Sequence, residues 1–230
     1  MRASLRVIGL LALLVAGQGR AAATVNDLFG AAAIDNLRDL RLLVQAHGVD
    51  VKATDGRGDT LLIVAIRNDA THVVDWLIAD PSTDLDATNA SNETALMMAA
   101  YRNKKDIVEK LVERGAEVNR TGWTALHYAA SVDARDIVGF LLDHAAYIDA
   151  ESPNKTTPLM MAARGGFDQL AHQLVDAGAD PTPVNERDLT AANFARRGKS
   201  MELAQWLDAQ AFAWREKYGR VSTWSENPRQ

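Results

Sequence analysis

Apolar residues recur in two short blocks within each of several similar units along the chain, and polar, turn-forming residues separate the blocks. The first block is a heptapeptide that begins with threonine and reads TALHYAA at residues 124–130. Related heptapeptides begin at Thr60, Thr94, Thr157 and Thr190. Successive threonines are therefore separated by a period of roughly 33 residues, which is typical of stacked helical units. The pattern predicts a series of similar units, each opening with a short helix.

The second block of each unit places two apolar residues 13 and 17 positions after the threonine. Residues four positions apart lie on one face of a helix, so each pair is expected to face the core. The pairs are Val73 and Leu77, Ile107 and Leu111, Ile137 and Leu141, Leu170 and Leu174, and Leu203 and Leu207. Threonine favours the position before a helix, and Pro158 is tolerated in a first helical turn. Each unit is predicted to be two helices, with Gly48, Gly115 and Gly178 at helix ends.

The heptapeptides resemble the T-P-L-H-x-A signature of the ankyrin repeat family, and the resemblance covers roughly residues 25–210. It implies an all-α ankyrin-repeat solenoid of about six helix-turn-helix repeats with short β-turn fingers, forming a domain at residues 24–210. The repeats fall near residues 25–54, 55–88, 89–118, 119–151, 152–184 and 185–210. In the family the histidine of the heptapeptide links neighbouring loops by hydrogen bonds, and only His127 occupies that position here.

The first repeat has no threonine at the expected step. Asp27 lies one full period before Thr60 and is assigned to the threonine position, with Ala32 and Ala33 as the alanine pair of this repeat. Polar residues at its outer face fit a terminal repeat, which must present a soluble surface.

The loop of the fourth repeat is shorter than its equivalents. Only residues 120–123 separate Asn119 from Thr124, which makes this finger three residues shorter than the others. Loop length affects stability less than core register does, so an array is expected to tolerate the deletion. The short finger should leave a notch in the row of loops, with Trp123 at its edge.

The N-terminal end is predicted to lie outside the repeats. Residues 1–23 carry Arg2, Arg6 and Arg20 but no acid, an apolar run, and a small-residue cleavage site at residues 21–23. This order is typical of a signal peptide, and an uncleaved anchor or a buried helix is the alternative. The alanine-rich leader and the cysteine-free body indicate a bacterial periplasmic protein, with no membrane insertion after cleavage.

Residues 211–230 form a C-terminal extension that is rich in aromatic residues for a polar segment. We predict a capping helix or strap that covers the apolar face of the sixth repeat. A docking tail for a partner is the alternative.

Composition narrows the functional classes. The chain has 30 acidic residues against 25 basic ones, and three of the basic residues lie in residues 1–23. This balance disfavours nucleic acid as a partner, because phosphate binding requires clustered positive charge. The absence of cysteine excludes disulfides and thiolate metal sites, and the five histidines are scattered among the repeats. No serine-hydrolase, Walker or H-E-x-x-H motif occurs, so we predict no catalytic, cofactor or metal site.

The resemblance implies a protein-binding surface on the concave side of the solenoid, formed by the residue before each threonine and those seven and eight after it. Tyrosine, tryptophan and arginine are enriched at such surfaces. The predicted partner-binding residues are Arg57, Asp59, Arg67, Glu93, Tyr101, Arg102, Trp123, Lys155 and Arg164. Arg67, Arg102, Arg164 and Arg197 form a basic track along it, and solubility at helix ends is the alternative explanation.

The sequence as a whole predicts a monomeric, non-catalytic module that binds a protein partner through the concave groove and the finger loops. The resemblance does not name the partner, because one fold hosts many functions. The alternative is an accessory or protective factor for an exported enzyme, or an immunity protein that blocks a toxin. An enzyme would require converging titratable groups, which the sequence does not display.

Overall fold

The computed structural model of the chain describes residues 23–219, and the regular secondary structure within them is helical. The helices form six successive pairs: α1 (Val25–Ala33) and α2 (Leu37–Gln45), α3 (Leu61–Arg67) and α4 (Thr71–Ala79), α5 (Ala95–Tyr101) and α6 (Lys105–Glu113), α7 (Ala125–Ala130) and α8 (Arg135–Asp143), α9 (Pro158–Gly165) and α10 (Asp168–Asp176), and α11 (Ala191–Arg197) and α12 (Met201–Tyr218). The helices of each pair contact each other, and each first helix contacts the next first helix. The prediction of an all-α solenoid of six helix-turn-helix repeats is confirmed.

Threonine precedes the first helix of each repeat. Thr60, Thr94, Thr157 and Thr190 occupy the residue before the helix, and the side chain of each accepts the backbone N–H of the third helical residue. Thr124 occupies the same position before α7. A cap of this kind stabilises a helix by about 1 kcal/mol, because it satisfies a backbone donor that the helix itself cannot.

The first helix begins one turn earlier than the assignment of Asp27 to the threonine position predicts. Helix α1 starts at Val25, so Thr24 is its cap and Asp27 is the third helical residue. The Asp27 carboxylate accepts the Thr24 backbone N–H at 2.8 Å, and the Thr24 hydroxyl oxygen accepts the Asp27 N–H at 3.3 Å. The assignment of Asp27 to the threonine position is therefore wrong. A threonine with an acid three residues later forms a reciprocal capping box, which extends the helix by a turn.

The apolar positions predicted from the period form one continuous core. The residues 13 and 17 positions after each threonine are at most 4 % exposed, and Leu126 and Leu159 are fully buried two positions after theirs. Small residues let the first helices approach each other. A Cβ on Gly198 would lie 2.5 Å from the Arg164 carbonyl oxygen, so only glycine allows α11 to lie this close to the end of α9.

A tight turn recurs before four of the first helices. The residue five positions before the threonine donates its backbone N–H to the carbonyl oxygen of the residue just before the threonine, at 3.0 to 3.1 Å. The donor and acceptor residues are Asp55 and Asp59, Asn89 and Glu93, Ser152 and Thr156, and Asn185 and Leu189. In the second repeat, Thr54 and Thr60 also form an isolated antiparallel bridge. These turns are the predicted fingers, and the shorter loop of the fourth repeat has Gly122 at a φ of 91°.

The last helix crosses the predicted boundary between the sixth repeat and the C-terminal extension. Helix α12 runs without a break past residue 210, where we placed the end of the repeat domain. Beyond that point Ala211 is buried, but Phe212 and Tyr218 are 66 % and 55 % exposed. Residues 211–218 are thus helical, which is one of the two predicted forms, but Phe212 and Tyr218 do not cover the apolar face of the sixth repeat. Trp224 lies outside the described residues. The helix continues because strong helix formers follow residue 210 and no glycine or proline interrupts them before Gly219.

Predictions at the two ends fall largely outside the described residues. The signal peptide, except for Ala23, and residues 220–230 belong to this part, so the leader and its cleavage stay predictions, as do the limits of the individual repeats. In the range 23–219, no helix combines the length and apolarity needed to cross a bilayer.

Candidate protein-binding groove

A partly buried ion pair lies in the N-terminal part of the groove. Arg67, the last residue of α3, donates through both terminal guanidinium nitrogens to the carboxylate of Asp59, which is 1 % exposed. The Asn89 side-chain amide of the next repeat donates to Asp59 Oδ1 at 2.8 Å. Burial acts to raise the pKa of Asp59, but the hydrogen bonds from Arg67 and Asn89 outweigh it and hold that pKa below its usual range. We call these three residues the Asp59 network.

The network changes the role of two predicted partner-binding residues. Asp59 is buried, so its placement among the residues that contact a partner is wrong, and the carboxylate instead fixes one repeat to the next. Arg67 is committed to Asp59, and 27 % of its side chain stays exposed. Arg57 is 70 % exposed and stays open to solvent, with its Nε 3.5 Å from Asp59 Oδ2. The repeat register predicted that Arg57, Asp59 and Arg67 lie on the groove side, but it did not indicate how deeply each side chain is buried.

Glu93 links the third repeat to the fourth through neutral donors. Its carboxylate accepts the Asn89 side-chain amide at 2.8 Å and the Tyr128 hydroxyl at 2.9 Å. Burial raises the pKa of Tyr128, and the hydrogen bond to Glu93 raises it further, so the phenol stays protonated. Glu93 is partly buried and serves as a wall of the groove.

The predicted basic track is interrupted in its N-terminal half. Arg102 Nη2 lies 3.0 Å from Asp69 Oδ2, and Lys104 binds the other oxygen of the same carboxylate at 2.7 Å. With Arg67 paired to Asp59 as well, neither cation is free of an intramolecular partner. Lys155 is exposed at a finger tip, where its φ is 59°. Among residues 23–219, the C-terminal members of the track, Arg164 and Arg197, form no ion pair.

An aromatic notch lies beside the shortened finger. Tyr101 and Tyr128 contact edge to face with ring centroids 6.2 Å apart, and Trp123 contacts His127 in the same way at 5.2 Å. These residues, with Ser131 and Met161, line an apolar depression of about 230 Å³. Tyr101 is 50 % exposed and Trp123 is partly exposed, so both present ring surface to the groove. The predicted placement of Trp123 beside Tyr101, at the edge of a notch, therefore agrees with the geometry.

His127 fixes the floor beneath this notch. Its ring is fully buried, Nε2 lies 2.9 Å from the Thr156 carbonyl oxygen, and Nδ1 lies 3.2 Å from the Thr124 backbone nitrogen. Burial lowers the pKa of His127, so the neutral ring can donate from Nε2 and accept at Nδ1. The structure thus shows the loop-to-loop link that the resemblance implied for this histidine.

A second, larger depression adjoins the notch and shares Trp123 and Met161 with it. We call it the arginine cavity. Its volume is about 530 Å³, and its other lining residues are Asn154, Thr156, Arg164, Asn185, Arg187, Leu189, Phe194, Arg197 and Gly198. Within the described range, the guanidinium groups of Arg164, Arg187 and Arg197 have neither an ion pair nor a hydrogen bond. The sequence prediction included Arg164 and missed Arg187, which occupies the finger position of Arg57, three residues before a threonine.

The described residues do not form a recognisable metal-binding cluster. Between residues 23 and 219, no three histidine, aspartate or glutamate side chains come together as ligands for a metal ion.

Stacked helix pairs with β-turn fingers, in contact one after another, define the chain as a helical repeat solenoid. The family described as ankyrin repeats (3 copies) matches residues 28–122, 71–152 and 118–185. The chain therefore belongs to the ankyrin repeat family, as the heptapeptides predicted. Ankyrin repeats generally serve as non-catalytic modules, and membership indicates a protein–protein interaction module.

Relatives share only a portion of their length with this chain. The neurogenic locus notch homolog protein 1 of Mus musculus is 32 % identical over 178 residues, which is 70 % of this chain and 7 % of that protein. The Xenopus tropicalis protein of the same name is 36 % identical over 116 residues, 49 % of this chain and 5 % of its own. The nuclear factor NF-kappa-B p105 subunit of Mus musculus is 32 % identical over 145 residues, 60 % of this chain and 15 % of that subunit.

Proposed function

We propose that this protein is a monomeric, non-catalytic interaction module that binds a protein partner through the groove between its fingers and the C-terminal ends of its first helices. One observation carries the proposal. The aromatic notch and the arginine cavity adjoin each other, so exposed aromatic surface and unpaired guanidinium groups lie side by side on one face. These are the side chains that dominate binding energy at protein interfaces.

Intramolecular ion pairs and hydrogen bonds are distributed unevenly along the groove. Their distribution indicates where a partner is expected to bind most strongly. In the N-terminal part, Asp59, Arg67 and Glu93 already satisfy one another or their neighbours. A partner would have to compete with those contacts and would gain little. In the C-terminal part, from Trp123 to Arg197, ring faces and guanidinium groups are open. We therefore expect the main contacts on the fourth to sixth repeats.

Trp123→Ala tests the proposal at its centre. We expect this variant to bind the partner about 1–2 kcal/mol more weakly, because it removes an aromatic anchor between the two depressions. Proteins retained from an extract of the source cells by immobilised residues 24–230 would be purified, and the affinity of each would be measured by titration calorimetry. A captured exported enzyme or toxin would select the accessory or immunity role.

Trp206→Ala is the matched control, because Trp206 is also partly exposed and also contacts a histidine, His172, at a centroid distance of 3.7 Å. It lies on α12, away from both depressions. Equal affinity of Trp123→Ala and wild type for every captured protein would refute the groove as the binding surface. A large drop in melting temperature with unchanged binding would make Trp123 a packing residue.

The proposal includes export to the periplasm, which the order of basic, apolar and small residues in residues 1–23 supports. We expect cleavage near Ala23. The intact mass of the protein isolated from periplasmic extract identifies the residue at which the chain begins. A species that keeps residues 1–20 would contradict export with cleavage.

A further inference from the structure

The Asp59 network has a counterpart in the fifth and sixth repeats. Arg67 lies seven residues after Thr60, and Arg164 lies seven residues after Thr157. Asn89 lies five residues before the following threonine, and Asn185 occupies that position in the sixth repeat. The guanidinium group and the amide that hold the Asp59 carboxylate are therefore both repeated at the arginine cavity.

The carboxylate itself is not repeated. The residue just before the threonine is Asp59 in the second repeat and Thr156 in the fifth. The equivalent position that provides Glu93 in the third repeat is Leu189 in the sixth. Both acids of the N-terminal arrangement are thus replaced by residues without charge, while the arginine and the asparagine that donate to Asp59 are kept.

Asn185 shows the consequence most directly. It is 6 % exposed, and its Oδ1 accepts the backbone N–H groups of Arg187 at 2.9 Å and Leu189 at 3.1 Å, as the equivalent oxygen of Asn89 does in its own finger. The Asn89 amide nitrogen then donates to Asp59 and Glu93. The Asn185 amide nitrogen has no acceptor among the described residues, although Asn185 lines the cavity.

The charges around the cavity also favour a negatively charged ligand. Arg164, Arg187 and Arg197 bring three positive charges to the cavity, and its lining contains no acidic residue. Glu186 and Asp188 flank Arg187 in sequence, but neither forms an ion pair within the described part of the chain. This is a local excess of positive charge on a protein that carries a formal net charge of −5. Each guanidinium group can bind one carboxylate bidentately, as Arg67 binds Asp59.

We propose that the arginine cavity binds an acidic segment of the protein partner, and that one carboxylate of that segment occupies the place that Asp59 occupies in the second repeat. This inference rests on the proposed function and specifies its partner. Arg164 and the Asn185 amide hold this first carboxylate. Arg187 and Arg197 receive neighbouring carboxylates, and Trp123, Met161 and Phe194 receive an apolar side chain of the same segment.

The direct test uses a fluorescein-labelled peptide with two glutamates on each side of a central leucine, and a second peptide in which glutamine replaces every glutamate. Fluorescence polarisation with residues 24–230 measures both affinities. We expect binding of the glutamate peptide that weakens as salt rises, and binding of the glutamine peptide that is at least about tenfold weaker. Equal binding of the two peptides, or binding of neither, would overturn the inference.

Two variants with the same change in charge locate the site. Arg164→Gln with Arg197→Gln should weaken binding of the glutamate peptide at least about tenfold. Arg38→Gln with Arg215→Gln removes two exposed arginines that line neither depression and should leave the affinity unchanged. Equal losses in the two double variants would mean that general charge attracts the peptide, which contradicts a defined site.

Thr156→Asp is the sharpest variant, because it restores the missing carboxylate inside the protein. Thr156 is 3 % exposed and Asp59 1 %, so the two positions provide similar surroundings. The new carboxylate should pair with Arg164 and Asn185 and reduce binding of the glutamate peptide at least about tenfold, although every arginine remains. Thr156→Asn, which has the same shape without the charge, should bind nearly as well as wild type. Equal affinities for Thr156→Asp and Thr156→Asn would overturn the assignment of the first carboxylate.

Competition experiments distinguish the acidic segment from other ligands that could occupy the arginine cavity. Inorganic phosphate that displaces the peptide at concentrations where acetate does not would reassign the cavity to phosphate. Sedimentation that shows a dimer in wild type and a monomer in the double arginine variant would reassign it to a second copy of the chain. If a purified partner needs Trp123 for binding but is not displaced by the glutamate peptide, the proposed function stands and this inference fails. If no partner depends on the groove, the proposed function fails, whatever the peptide does.

Discussion

Single polar residues hold successive repeats together in this protein. The Asp86 carboxylate accepts the backbone N–H of Glu117 at 2.9 Å, and the equivalent Asp149 accepts that of Asp180 at 3.1 Å. Both acids lie eight residues before a threonine, so the contact recurs with the period of the array. Asp149 is partly buried, so the N–H that it accepts compensates only in part for lost hydration, and its contribution to stability depends on pH.

The raised pKa of Asp149 determines the direction in which its contribution to stability changes with pH. Burial raises the pKa of Asp149 to about 6 from an ordinary 3.8, the Asp180 N–H opposes the rise, and the Asp180 carboxylate adds to it. The folded state therefore holds this proton more tightly than the unfolded chain does. The contribution of Asp149 to the free energy of unfolding is highest below about pH 4 and falls as the pH rises to about 6. We expect Asp149→Asn to be more stable than wild type by about 1–3 kcal/mol near pH 7.5, with no difference near pH 4.

Urea denaturation of both proteins at the two pH values measures this difference directly. The comparison between variant and wild type matters, because His127 acts in the opposite direction. Its lowered pKa means that unfolding takes up a proton in acid, so its contribution is lost as the pH falls. Asp86→Asn removes one charge from the equivalent position and controls for the loss of an acid from an acidic protein. A gain for Asp149→Asn that is the same at both pH values would show that the carboxyl pKa is not its cause.

The positions of the candidate-site residues could be predicted from the sequence, but their ion pairs and hydrogen bonds could not. The family register placed Asp59, Arg67, Arg164 and Trp123 on one side of the array, and each lines or underlies the groove. Whether an arginine is free depends on one residue elsewhere in its own repeat and on the next finger, as the contrast between Asp59 and Thr156 shows. The period identifies equivalent positions, and only three-dimensional contacts reveal that equivalent arginines differ in their partners.

At the scale of the helices, caps explain both the successes and the errors. Threonine followed by an apolar block correctly marked the start of α3, α5, α7, α9 and α11, because cap and core act on adjacent residues. The start of α1 was wrong because strict periodicity outweighed a better local signal, the capping box of Thr24 and Asp27. Helix α12 continues past the boundary that we placed after residue 210 for a related reason. The period sets the length of an internal helix, which a following repeat limits, whereas a terminal helix continues to the next helix breaker.

The whole molecule is an array in which stability is expected to depend on each repeat and its immediate neighbours. Two leucines that occupy the same position of their repeats, the second core position of the second helix, test this view. Leu141 lies in the fourth repeat and is 0 % exposed, and Leu207 lies in the sixth and is 1 % exposed. Truncation to alanine removes the same atoms from equally buried sites, and each change should cost about 2–5 kcal/mol locally.

The consequences for the array should nevertheless differ. Leu141→Ala weakens a repeat with a neighbour on each side, so we expect the main urea transition to shift to lower denaturant by the full local cost. Leu207→Ala weakens a terminal repeat, which can unfold while the first five remain stacked, so an early transition should separate from a nearly unshifted main one. Circular dichroism follows the transitions, and hydrogen exchange of α11 and α12 amides identifies the early one. Identical shifts of one single transition in both variants would mean that the six repeats unfold as one cooperative unit, in which coupling between neighbours exceeds the cost of losing the terminal repeat.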